Sequence, residues 1–264
     1  MKIFILTSSH NGGAAFNLPF LLSSKKIKIS DVVLINNISS NKILSYKRRL
    51  RKTLKIGILG AINGLWMRKW YKEDVYELLG SNDIRTLCSK EDIPLHEINT
   101  GSYREVEEVI KSLNADLGIS LDNAYIPESV FSIPNSGMIN VHHELLPEYQ
   151  NAQSIIWQIY NGSNKTGFTI HKINKNIDEG DILYRDSIEL EFKKNLNSTV
   201  TYNYARLLKD SALGLLRLLE NYQNFDTKSY SQSPGHKYTT PSIKQMFKIY
   251  VNFYKLKKQK TIPR

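Results

Sequence analysis

The chain is poor in cysteine, in long apolar runs and, over two stretches, in acids. Cys88 is its single cysteine. One thiol excludes an internal disulfide and any zinc cluster built on cysteines, and it fits a reducing compartment. No run of about 18 uninterrupted apolar residues occurs, so no membrane span is expected. The opening MKIFILTSSHNGG holds too short an apolar run for a secretory leader, and Gly12 and Gly13 follow it at once. Between Asn41 and Lys72 there are ten Lys or Arg and no acid, and between Pro241 and Arg264 there are seven and again no acid. The net charge is +11, so the rest of the chain is net acidic. That distribution does not describe a uniformly basic nucleic-acid binder. Two basic segments sit on a mildly acidic body.

What is present is enough to build a core. Apolar residues make up 41% and charged residues 23% of 264 residues, which suits one large α/β domain, or one domain and a small appendage. KIFILTS (2–8) reads as a buried first strand that opens into a loop. A helix over 12–24 and a second β-branched run, DVVLINN (31–37), follow. Strand, helix, strand at about thirty residues per unit argues for parallel α/β winding. Residues 41–72 interrupt this rhythm. After them come a helix over 73–80, a loop with a short strand over 88–100, and an amphipathic helix over 103–113. A buried strand over 115–123, a helical turn begun by Pro127 and a strand over 137–143 come next. A helix over 152–162, two antiparallel strands over 166–173 and 180–190, and a long helix over 199–222 complete the body. A loop and a basic helical end close the chain.

The segment NVHHELLPEY (140–149) carries the chemistry. HELLP begins like the zinc-protease motif H-E-x-x-H, but Pro147 stands where the second histidine belongs. On a strand, His142 and His143 point to opposite faces and do not readily share an ion. No metal is expected. Asn140 and His142 share a face at a strand's C-terminal end, where functional groups of α/β sheets gather. Downstream, NIDEGDIL offers Asp178, Glu179 and Asp181. An amide, an imidazole and a carboxylate can stabilise an oxyanion and move a proton. Equally, the same residues can finish a strand and a solvated turn. Spacing alone leaves both readings open.

A longer pattern bears on that choice. Asn140-Val141-His142, Leu145-Leu146-Pro147, Asn161-Gly162, Thr166-Gly167-Phe168-Thr169-Ile170-His171 and Asp178-Glu179-Gly180-Asp181 stand in order over residues 137–183. This order resembles the catalytic core of the folate-dependent formyltransferases, a family with a Rossmann-like, mostly parallel sheet flanked by helices. The resemblance implies a catalytic domain over 1–195, with 41–72 inserted, and a small helical extension over 196–264. It implies 10-formyltetrahydrofolate as co-substrate and a primary amine as acceptor. Asn140 and His142 would hold the formyl oxygen, and Asp178 would orient or charge His142 and help remove the amine proton. Leu121, Asp122, Tyr125, Ile126 and Asp181 would line the folate pocket. His171 lies on the strand leading to the turn, where a structural role weighs at least as much as a catalytic one. His143, Glu144 and YQNA (149–152) depart from the family pattern and leave the neighbouring substrate contacts open.

The acceptor expected in outline is a nucleotide-linked amino sugar of the kind used in surface glycans. The stretch after Leu183 reads as helix and basic tail, without the five strands of an oligonucleotide-binding barrel. Lys and Arg in 41–72 suit a diphosphate. They suit anionic lipid as well, because interleaved Leu, Ile and Trp could form an interfacial helix. Formylation of methionyl-tRNA, hydrolysis of the same folate, and a basic nucleic-acid-binding protein on this scaffold are the alternatives. A cytoplasmic homodimer is expected, with contact at the membrane's inner face as an option and no specific nucleic acid.

Overall fold

A computed structural model describes all residues except 37–41, 72, 81, 100, 101, 124, 152 and 262–264. The side chains of 42–45, 48, 49, 73, 76 and 77 also lie outside the description. Seven strands form one sheet: β1 (Lys2–Thr7), β2 (Lys28–Ile35), β3 (Leu95–Ile98), β4 (Leu117–Leu121), β5 (Met138–His142), β6 (Lys165–Lys172) and β7 (Ile182–Glu189). Their spatial order is β3-β2-β1-β4-β5-β6-β7. The first five run parallel, and β6 and β7 are antiparallel additions at one edge. This is the expected mostly parallel, Rossmann-like α/β fold.

Both faces of the sheet are covered, which is why its central strands are near-continuous apolar runs. In β1, Ile3 and Ile5 point to one side and Phe4 and Leu6 to the other. The first side packs on α1 (Gly13–Leu22), α4 (Ile84–Lys90) and α8 (Leu196–Glu220). The second packs on α5 (Tyr103–Leu113) and α6 (Glu128–Phe131). Leu207, Leu215 and Leu218 of α8 sit in the same core as the strands, although the sequence reading assigned that helix to an extension. Its first turn is fixed by a capping box between Asn195 and Ser198.

The remaining helices lie elsewhere or brace this body. The basic segment forms α2 (Lys42–Tyr71), broken at Gly57, whose φ of 77° only glycine adopts readily. It is followed by α3 (Glu73–Leu79). The helix expected over 152–162 is only α7 (Ile156–Tyr160), because Asn151 and Ile155 hold positive φ of 52° and 75°. After α9 (Tyr222–Thr227), α10 (Ile243–Thr261) packs on α7 and α2. Met67, Trp70, Trp157, Met246, Ile249 and Phe253 make a separate apolar cluster there.

The order of strands places a switch between β1 and β4, where chain connections leave in opposite directions along the sheet. In such sheets ligands bind beyond the carboxyl ends at that point. Thr7 pairs with Leu121 and Ser120 with Asn140, so the ends of β1, β4 and β5 come together there.

Candidate active site

A cavity of about 490 Å³ opens at these strand ends, within the range typical of small-molecule sites. β5 supplies Asn140 and His142 to it from one face. The antiparallel register with β6 puts Asn140 opposite His171 and His142 opposite Thr169. Asn140 Nδ2 lies 3.2 Å from His171 Nε2. His171 Nδ1 lies 2.8 Å from the Lys172 carbonyl oxygen. A carbonyl only accepts, so Nδ1 carries the ring proton and Nε2 accepts from Asn140. Burial, with the nearby His142, pushes the His171 imidazole down to about 4. The ring is therefore neutral at neutral pH, and it fixes one N–H of the Asn140 amide. The second N–H of that amide is left for the cavity.

Asp178 enters from the turn after β6. Its own φ is 58°, a left-handed conformation that Asp tolerates better than most residues. Gly180 lets the turn fold back against β6, since a Cβ there would collide with the Lys172 carbonyl oxygen. The Asn151 backbone N–H donates to Asp178 Oδ2 at 2.9 Å. The other oxygen, Oδ1, is left 3.8 Å from His142 Nδ1 and 3.9 Å from His171 Nε2. The Asp178 side chain is only 11% exposed, so its charge acts on both rings with little screening. His142 Nε2 lies 3.2 Å from the Tyr149 carbonyl, so the ring donates there and turns Nδ1 toward the carboxylate. Asn140, His142, His171 and Asp178 thus form one connected group.

His143 also lines the cavity, but its ring turns toward α8. Its Nε2 is 3.2 Å from Ser211 Oγ of α8, and its ring meets Tyr204 edge-on. Burial, and secondarily the His142 ring, pushes its imidazole down to about 3. Beside it Glu144 is buried, and burial raises its carboxyl well above the ordinary range. Gln158 donates to Glu144 Oε2. Glu144 Oε1 and Gln158 Oε1 have no partner among the described residues. Burial therefore favours the protonated, neutral form of this carboxyl.

The residues expected to hold folate divide. Leu121, Asp122, Tyr125 and Ile126 line the cavity, but Asp181 is outside its lining and accepts from Ser231 at 2.9 Å. Asp122 also accepts from the Gly13 N–H at the start of α1, so part of its carboxylate serves that helix end. Sequence reasoning missed Arg68 and Tyr71 of α2, Tyr204 of α8, and Gln153 and Ser154, all of which line the cavity. Only the unusual basic insertion hinted at the first two. His96 pairs with Asp31 at 2.9 Å.

A second cleft of about 580 Å³ adjoins the first and shares Arg68, Asn151 and Gln153 with it. Lys52 and Arg68 both line it. Burial, and then the charge of Arg68, lowers the Lys52 pKa, so the two cations face a common space. Neither makes an ion pair among the described residues. Among those residues no group of three or more His, Cys, Asp or Glu is placed to hold a metal ion, and no helix is long and apolar enough to cross a membrane.

Comparison with known proteins places this chain in a family. The formyl transferase family matches residues 73–214, more than half of the chain. The chain belongs to the formyl transferase family. A methionyl-tRNA formyltransferase of Clostridioides difficile strain 630 is 34% identical over 114 residues, covering 43% of this chain and 37% of that protein's length. The chain thus spans well under two thirds of that relative. The crystal structure of phosphoribosylglycinamide formyltransferase from Bacillus halodurans superposes with a TM-score of 0.56 at 14% identity, covering 84% of this chain and 95% of the other. A sugar 3N-formyl transferase, crystallised with dTDP and 5-N-formyl-THF, gives a TM-score of 0.51 at 16% identity over 90% and 69% of the two chains. At these identities the two structures speak for the fold.

Proposed function

We propose that this chain transfers a formyl group from 10-formyltetrahydrofolate to the primary amine of a phosphate-bearing acceptor, and that the acceptor is a nucleotide-linked amino sugar. The observation that carries the transfer is the convergence of Asn140, His142 and Asp178, braced by His171, at the ends of parallel strands. The cavity suits the donor. Leu121, Ile126, Val141 and Ile173 offer apolar walls for a flat ring, and Asn123, Asn174 and Asp178 offer polar groups beside them. A bound formyl-tetrahydrofolate supplies the one-carbon group, and the protein supplies position and proton traffic.

In this reading Asn140 directs its free amide N–H at the formyl oxygen, where negative charge grows as the amine attacks. Such a donor contributes about 2.7–4 kcal/mol to a transition state. His142 was expected as a second donor, but Tyr149 engages its Nε2–H. Its supported role is to receive the amine proton at Nδ1, with Asp178 stabilising the resulting charge, and to return it to the nitrogen that leaves.

The cleft between Lys52 and Arg68 supports a phosphate on the acceptor, since it opens into the same cavity. Relatives named methionyl-tRNA formyltransferase favour a second reading, in which the amine belongs to charged tRNA. One experiment separates them. The protein is incubated with 10-formyltetrahydrofolate and, in parallel, nucleotide amino sugars, methionyl-tRNA and no amine, and products are weighed by mass spectrometry. A formyl gain on a nucleotide sugar is expected, with Lys52→Glu and Arg68→Glu each raising KM by about tenfold or more, the size of one charged hydrogen bond. Formylation of methionyl-tRNA alone overturns the sugar reading, and folate turnover without amine overturns transfer.

A further inference from the structure

The outer surface of α2 has no place in the proposed chemistry. Its inner side is buried through Ile56, Met67 and Trp70. Outward, Tyr46, Leu50 and Leu54 follow one another at four-residue spacing before the break at Gly57. Ile58, Ile62 and Trp66 do so after it. All six are exposed, with Leu54 at 77%, Ile58 at 73% and Trp66 at 75%. Residues four apart share a helix face, so each half of the helix carries an apolar stripe in open solvent. Lys47, Arg51 and Lys55 form an exposed basic stripe one position along. α10, packed against α2, repeats the pattern with Phe247, Tyr250 and Tyr254 exposed among its lysines. Neither helix contains an acid.

Monomeric proteins seldom leave contiguous apolar surface of this extent uncovered. A second copy docked through the same face would set two acid-free basic surfaces against each other, which their charge opposes. RNA would satisfy the cations but gain little from Leu50, Leu54, Ile58 and Ile62. A surface that rewards aliphatic burial and positive charge together is the headgroup region of an anionic bilayer. We infer that α2, adjoined by α10, is a docking surface for anionic membrane, lying in the interface without crossing it. The inference goes beyond the proposed reaction, and vesicle binding is read without any formyl donor or acceptor.

The test is sedimentation of the full chain with vesicles of equal parts phosphatidylglycerol and phosphatidylcholine, and with phosphatidylcholine alone. Binding to the first and not the second is expected. The double variant Leu54→Glu, Ile58→Glu should weaken it by at least about tenfold, as expected from lost apolar burial. Arg51→Ala and Lys55→Ala should each weaken it about fivefold. All four positions are exposed, and unchanged circular dichroism and melting confirm that the variants fold. Any of four results overturns the inference: no binding to the anionic vesicles at low salt; equal binding by the double Glu variant; a solution dimer that this variant dissociates; or binding to single-stranded RNA that outcompetes vesicles and is indifferent to Leu54 and Ile58.

Discussion

The substitution Glu144→Gln isolates the energetic consequence of one buried carboxyl beside the site. Glu144 is 1% exposed. Burial raises its pKa in the folded protein, against weaker opposing hydrogen bonds from Gln158, Ile155, Ser154 and Leu145. An acid raised on folding binds more protons in the native state than in the unfolded chain. Stability therefore falls as pH rises from the unfolded value, ~4.3, up to the folded one. Inside that window the slope is about 1.4 kcal/mol per pH unit. A glutamine in this place does not titrate. His143 and His171 run in the opposite sense. Their folded pKa values are depressed, so their contribution is present above about 6.5 and lost as pH falls toward about 3 and about 4 respectively. Wild type and variant share both histidines, so the difference between the two proteins isolates residue 144. That difference should be small near pH 4 and then favour the variant by about 1.4 kcal/mol for each unit, flattening once the folded pKa is passed. Each pH unit inside the window corresponds to roughly 3–6 °C in melting temperature for a chain of this size. Urea unfolding of both proteins at pH 5, 6, 7 and 8 measures it. Parallel stability curves for the two proteins would refute the reasoning.

The remaining predictions concern turnover. Asn140→Ala, His142→Ala and Asp178→Ala should each lower kcat by about 10²- to 10⁴-fold with the fold retained. His143→Ala should lower stability while leaving kcat within about threefold, because its ring serves Ser211 and Tyr204. Equal loss of kcat at His142 and His143, measured at saturating substrate, would show that the two neighbouring histidines are not distinct in function. Activity should rise from acid toward neutral pH as the attacking amine loses its proton. An additional fall is expected as pH drops through about 4, where His171 gains a proton at Nε2 and can no longer accept from Asn140. An activity maximum well below pH 6 would contradict amine attack.

The parallel sheet and the shared face of Asn140 and His142 were legible for different physical reasons. β-branched runs at about thirty-residue spacing announced the parallel sheet, the amphipathic pattern of 103–113 announced α5, and Pro127 announced the turn that becomes α6. The pairing of Asn140 with His142 needed only the two-residue repeat of a strand. α4 was missed because CSKED reads as a loop, although Asp83 caps its start and Ile84, Leu87 and Cys88 lie on its buried face. The shortening of α7 was hidden because nothing in the local sequence marks Ile155 for a positive φ. Its conformation comes from tertiary packing. The roles of Tyr71, Tyr204 and His171 depend on contacts between residues far apart in sequence, and periodicity does not report those. Within the insertion, which charges face a cleft was not legible from the run of Lys and Arg, and the structure points to Lys52 and Arg68.

The insertion and the last helix are separated by the greater part of the sheet, yet they close one cluster. Met67 and Trp70 of α2 sit with Met246, Ile249 and Phe253 of α10 over Trp157. Each covers apolar surface that the other would expose if left alone. They are therefore a single inheritable module written in two places. A chimera that moved residues 42–71 into another formyl transferase without a partner for Met67 and Trp70 would carry an unsealed core, and a deletion of 243–261 would unseat the insertion along with the tail. Gain or loss of one, in the history of such chains, should be matched by gain or loss of the other.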